Sequence, residues 1–289
     1  MKNIFVPTSG NSTDDAVFAT ALAAATPFGA HLEFYHQRLS VCEAAVRARH
    51  VEFCVGPALT DALESLRQQD EHLSATALKH FKEFCAVHAI RVRETPDDTA
   101  AVTAQYLESI DDPEKHFLLH ARHNDLTVLG RPAHKDLMPY NLVEMLLVDS
   151  GRPIIIASNS IPTTVSGTIL VGWKETSEAA RALGAALPLL KKARKVILVS
   201  IREGSGANSE VLGDLTNRLA WHGVTAETRL VVDDRNRAPA MLLLEAAADA
   251  SADLLVIGGY GHGPLREAVF GGVTAALIHH AECPILMIH

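Results

Sequence analysis

The stretch at residues 258–274, GGYGHGPLREAVFGGVT, brings together residue types suited to holding a phosphate. Gly258 closes a run of apolar residues and Gly261 follows after two positions. Gly271 and Gly272 come after nine further residues, where a helical pattern begins. Glycines at such points let backbone N–H groups approach an anion with no Cβ in the way. A helix starting at Gly272 adds unpaired N–H donors and the positive end of its macrodipole, and His262 and Thr274 add side-chain donors. The spacing is neither the GxGxxG of a first βα turn nor a P-loop with its Lys and Ser/Thr. The residues themselves leave two readings open: a phosphate seat, or a tight strand-to-helix turn in which the glycines serve only the backbone.

The other candidates for chemistry read as structure. His36, Cys42, His50 and Cys54 are separated by five, seven and three residues, which fits no short zinc knuckle. They read as scattered loop and helix residues, and no metal site is expected. His120 and His123 share a helical face, where such pairs are more often solvated than metallated. Lys191, Lys192, Arg194 and Lys195 lie at a helix end, where positive charge complements the macrodipole; a nucleic-acid patch would need more basic and aromatic neighbours. Ser200, Ser205 and Ser209 lack a nucleophile elbow, and Asp233–Asp234, although able to hold Mg²⁺, read as a polar loop. No catalytic residue is assigned, and an enzyme is not expected.

These residues need a scaffold, and the second half of the chain spells one out. Apolar strand runs at 168–173 (TILVGW), 196–201 (VILVSI), 225–232, 254–258 (LLVIG) and 284–288 (PILMI) alternate with helical patterns at 176–192, 209–222, 239–250 and near 272–280. Thr176 is placed as an N-cap and Gly223 as a C′ glycine. Strands without polar alternation, joined by helical crossovers, indicate a parallel sheet covered on both faces, with its ligand crevice at the carboxyl ends of the strands. The first half repeats the order more loosely: strands at 3–7, 31–36 and 90–94, helices at 13–28 and 58–88. LTVLG at 126–130 matches LLVIG at an offset of 128, and PIIIA at 153–157 matches PILMI at an offset of 131. A Ser/Thr/Pro-rich link at 158–167 separates the halves. The expectation is α/β architecture: two tandem doubly wound five-stranded parallel-sheet domains, at 1–158 and 166–289.

The chain has 289 residues, 48% apolar and 21% charged, with a formal charge of −8. That balance suits a globular protein and gives nothing global to steer it to nucleic acid or anionic lipid. No apolar run approaches the roughly 18–20 residues a spanning helix needs. MKNIFVPTSG does not read as a secretory signal, and the four cysteines hold no CxxC pair, so reduced thiols in the cytoplasm are expected.

Gly258-x2-Gly261-x9-Gly271, followed by Val273–Thr274 and the ending His280-Ala281-Glu282-Cys283-Pro284, resembles the universal stress protein family. The resemblance covers the whole second half in element order and the first half more faintly, as in tandem members. It implies an adenine-nucleotide alpha hydrolase-like, Rossmann-like fold and an ATP site in the second half, with Mg²⁺ a possible companion and ADP or AMP as alternatives. Gly258, Tyr260, Gly261 and His262 would line the ribose and phosphates. Gly271, Gly272, Val273 and Thr274 would hold the β- and γ-phosphates, and Gly172, Trp173, Lys174 and Ile201 would flank the adenine. Two positions depart from the family: Gly272 stands where Ser or Thr is common, and Lys174 where an Asp would accept bonds that Lys cannot. The first half, with Gly130-Arg131-Pro132-Ala133 and Val143 in place of the glycines, is expected to supply an interface rather than a site. Its final strand is a candidate to pair with that of the second half. The expected protein is a non-catalytic stress-response regulator, an intramolecular pseudo-dimer with a homodimer also open. Nucleotide would order residues 260–270 and alter a surface read by an unidentified protein partner. A non-nucleotide-binding dimeric scaffold is the alternative, and a slow ATPase a third.

Overall fold

The computed structural model describes residues 1–39, 57–96, 100–110, 112–131, 141–202, 208–232, 237–259 and 272–289. In the first half, strands β1 (Asn3–Thr8), β2 (His31–Gln37), β3 (Arg91–Val92), β4 (Thr103–Ser109), β5 (Leu126–Leu129) and β6 (Ile154–Ile156) alternate with helices α1 (Asp14–Ala25), α2 (Pro57–Val87), α3 (Pro113–His123) and α4 (Leu142–Asp149). The second half runs β7 (Thr168–Gly172), α5 (Ser177–Leu190), β8 (Lys195–Arg202), α6 (Asn208–Trp221), β9 (Ala226–Val232), α7 (Pro239–Asp249), β10 (Leu254–Gly258), α8 (Gly272–His280) and β11 (Ile285–Ile288).

All these strands join one sheet in the order β3-β4-β2-β1-β5-β6-β11-β10-β7-β8-β9. Pairing is parallel within each half, as helical crossovers require. At the centre β6 and β11 meet antiparallel, with Ile156 opposite Ile285, Ile155 opposite Leu286 and Ile154 opposite Met287. The expected doubly wound arrangement is therefore present, and the two sheets fuse edge to edge through their last strands. Each final strand would otherwise offer an unpaired apolar edge, and their union removes both.

The helices cover both faces. Ile4, Val6, Phe34, Ile155, Val171, Val256 and Leu286 share one apolar cluster with residues of α1, α2, α5 and α6. Phe5, Ile154, Ile156, Leu170, Ile257 and Met287 share the other with α3, α4, α7 and α8. Both layers run through the β6–β11 junction, so the core is shared between halves.

Local signals are realised where expected. Thr176 caps α5, its hydroxyl accepting from the Ala179 amide at 3.3 Å. Gly223 takes φ +76° just beyond α6, the left-handed conformation of a C′ residue. The two halves also share a capping device. Asp125 Oδ2 accepts from the Lys2 amide at 2.6 Å, and Asp253 Oδ2 accepts from the Thr168 amide at 2.6 Å. Each ties the turn before β5 or β10 to the start of the first strand of its half.

The first half departs from expectation at its outer edge. The strand expected over 90–94 is only the two-residue β3, and the third long strand is β4, which sequence reading left out. Its residues, TAQYLES, bury only Ala104 fully, because little lies beyond it in the sheet. An edge position needs no apolar run to mark it.

Candidate functional site

The crevice of a doubly wound sheet lies where neighbouring strands send their crossovers to opposite faces, at the carboxyl ends. In the second half that point is between β7 and β10, with β8 on the far side of β7. β7 ends at Gly172 and β10 at Gly258. Tyr260, Gly261, His262 and Gly271 lie outside the described residues, as do Cys42, His50, Cys54, Ser205 and Asp233–Asp234.

Gly258 meets the first turn of α5. A Cβ built there would lie 2.6 Å from the Ala179 nitrogen and 2.6 Å from the Glu178 carbonyl carbon, both backbone atoms that cannot step aside. The glycine is thus demanded by strand–helix packing, whatever else it does. Gly259 presses on the first half: its Cβ would lie 2.9 Å from Leu147 Cδ2 of α4. Gly272 opens α8 with nothing within 4 Å of a Cβ. Val273 beside it is exposed, and Thr274 is buried.

The adenine-flanking residues divide between the faces of the sheet. Trp173 is half-buried against the α5–α6 layer, and its amide donates to Val199 O at 2.7 Å, prolonging the β7–β8 pairing. Ile201 packs in the opposite layer, and Gly172 faces Leu243 and Ile257 of that layer. Lys174 is exposed. The structure brings Gly172 and Ile201 to one side and turns Trp173 to the other.

Sequence reading passed over Glu178. It lies in the first turn of α5, buried, with Oε1 accepting from Ser177 Oγ at 2.8 Å and Arg181 Nη2 at 3.0 Å. The Ser177 hydroxyl holds its carboxyl below the usual glutamate range. Its Oε2 and the indole Nε1 of Trp173 are buried with no protein partner. Buried polar atoms of this kind are rare and carry a desolvation cost of about 1–3 kcal/mol when unpaired.

In the first half the matching loop starts with Gly130 and Arg131, and Val143 is buried within α4. The Arg131 guanidinium turns to the second half, donating to His279 O at 2.9 Å and to Ala281 O at the end of α8. His120, expected to be solvated, instead pairs with Glu33 Oε1 at 2.8 Å and stacks on Phe5, while His123 is exposed. Burial pushes the Cys85 and Cys283 thiols up to about 11, which suits inert reduced cysteines. Among the described residues no helix is long and apolar enough to cross a membrane, and no group of three metal-ligating side chains is assembled.

Residues 166–289 match the model of the universal stress protein family. Over the whole chain the fold is similar to that of a universal stress protein from Archaeoglobus fulgidus, with a TM-score of 0.70 at 13% identity, covering 99% of this chain and 95% of that one. A putative universal stress protein from Pseudomonas aeruginosa UCBPP-PA14 aligns over 100% of this chain and 93% of its own at TM-score 0.55 and 14% identity. A functionally unknown protein from Pseudomonas aeruginosa PAO1 aligns over 100% and 92% at TM-score 0.54 and 13% identity. At such identities the likeness establishes the fold, and it does so across both halves.

Proposed function

We propose that the chain is a tandem universal stress protein, with repeats at 1–158 and 166–289, that binds ATP or another adenine nucleotide in the second repeat and acts as a non-catalytic stress-response regulator. The observation that carries this reading is a coincidence of position. The half that matches the family is the half that keeps Gly258-x2-Gly261-x9-Gly271, and α8 begins immediately after that spacing. The phosphates would sit at the exposed N-terminus of α8, on the Gly272 and Val273 amides. Glu178 Oε2 would supply an acceptor that Lys174 cannot. The first repeat, its loop broken by Arg131 and Pro132, serves as the partner surface.

One observation favours a second reading, a scaffold that binds no nucleotide: the glycine at 258 is already required by α5. The two are separated by heat-denaturing the purified protein and analysing the supernatant by mass spectrometry, with a calorimetric ATP titration beside it. Released ATP, ADP or AMP, or saturable binding, is expected. An empty supernatant with no titration signal gives the scaffold.

A further inference from the structure

Two contacts from the first half bear on the two ends of the segment between β10 and β11. At its start, Leu147 of α4 lies against Gly259, so closely that even a Cβ there would be 2.9 Å from the leucine methyl. At its finish, Arg131 reaches across the junction to the His279 and Ala281 carbonyls. The His279 carbonyl belongs to the last turn of α8 and Ala281 directly follows it, where C=O groups have no helical partner. Leu147 is buried, and Arg131 is half-buried, desolvated enough that its pKa is lowered.

The sequence offset gives these contacts meaning. Arg131 stands 128 residues before Gly259, at the equivalent place in the first repeat. Where the second repeat has a glycine yielding to a helix of the first, the first repeat has an arginine grasping a helix of the second. The exchange across the junction is unequal, and both sides of it bear on the segment that joins β10 to β11, at Gly259 and at the end of α8.

We infer that the first repeat regulates the second repeat's anion site by fixing α8, with Arg131 as the positioning residue. The inference rests on the nucleotide reading given above. A cation on the last carbonyls offsets the negative end of the macrodipole, leaving the N-terminal amides of Gly272, Val273 and Thr274 a net positive seat. It also pins the far end of a helix only nine residues long, so that its first turn keeps its place relative to Gly258.

The test compares the full chain with Arg131→Ala and Arg131→Lys, by ATP titration calorimetry and by amide hydrogen exchange of α8 without nucleotide. Arg131→Ala is expected to weaken ATP binding roughly threefold or more. It should also speed exchange in the first turn of α8, with Arg131→Lys recovering part of each. Equal affinity in wild type and Arg131→Ala overturns the inference and leaves the nucleotide reading standing. If the wild type binds no ATP, the nucleotide reading fails, and regulation of a nucleotide site by Arg131 falls with it. A drop in thermal stability with unchanged affinity and unchanged exchange at the first turn marks Arg131 as a structural residue only, and likewise overturns the inference.

Discussion

At the scale of single residues, the glycines of one loop do different work. Gly258 is held by the backbone of Glu178 and Ala179, so Gly258→Ala should cost about 1–3 kcal/mol of stability, read as a lowered urea midpoint. Gly272 has open space, so Gly272→Ser should leave stability within about 0.5 kcal/mol and raise ATP affinity by adding a hydroxyl donor. An unchanged affinity would argue against phosphate at that amide. Glu33 gives a pH signature. Burial raises its pKa, but donors from His120, Asn124 and Gln105 outweigh this and hold it below the ordinary 4.5. A carboxyl depressed by folding contributes stability that is present above the unfolded value and lost as pH falls through the folded one. Glu33→Gln should therefore destabilise by about 1–3 kcal/mol at neutral pH, a deficit that shrinks on acidification below the 4.5 region. A deficit constant with pH would mean the charge is not what matters.

At the scale of elements, stability rests on caps and on buried strands. Thr176→Ala removes the bond to the Ala179 amide and should cost about 1 kcal/mol in denaturant titration, with no change in fold by circular dichroism. Four strands of the second half were legible because they are buried and spelled in Val, Ile and Leu: 168–173, 196–201, 254–258 and 284–288 all fall on observed strands. β4 was not legible, since an outer strand with mixed residues carries no such run. The pairing of β6 with β11 could be anticipated from a half that had lost its loop, yet its register is set only by the packed junction. Glu178 and Arg131 stayed hidden for a similar reason. A Glu in a first helical turn looks like an ordinary dipole partner, and an Arg in a loop gives no sign of reaching a helix of the other half. The glycine spacing itself was plain in the sequence, while the division of Trp173 and Ile201 between faces needed the sheet.

At the scale of the molecule, the two halves form one sheet with two continuous apolar layers. Because residues of both halves share each layer at the β6–β11 junction, the chain should unfold in a single calorimetric transition with equal calorimetric and van't Hoff enthalpies. Two resolved transitions would show that the halves are energetically separate. The chain of 289 residues holds two halves that differ in sequence where their last loops begin: the second has the glycine spacing, and the first has Arg131, which reaches to the end of α8. The measurement that bears most directly on this account is the stoichiometry of ATP binding to the full chain by titration calorimetry, repeated with Gly272→Glu to place a negative charge on the proposed seat. The account predicts one equivalent per chain in the wild type and none in the variant. Two equivalents, no binding at all, or undiminished binding by Gly272→Glu would contradict it.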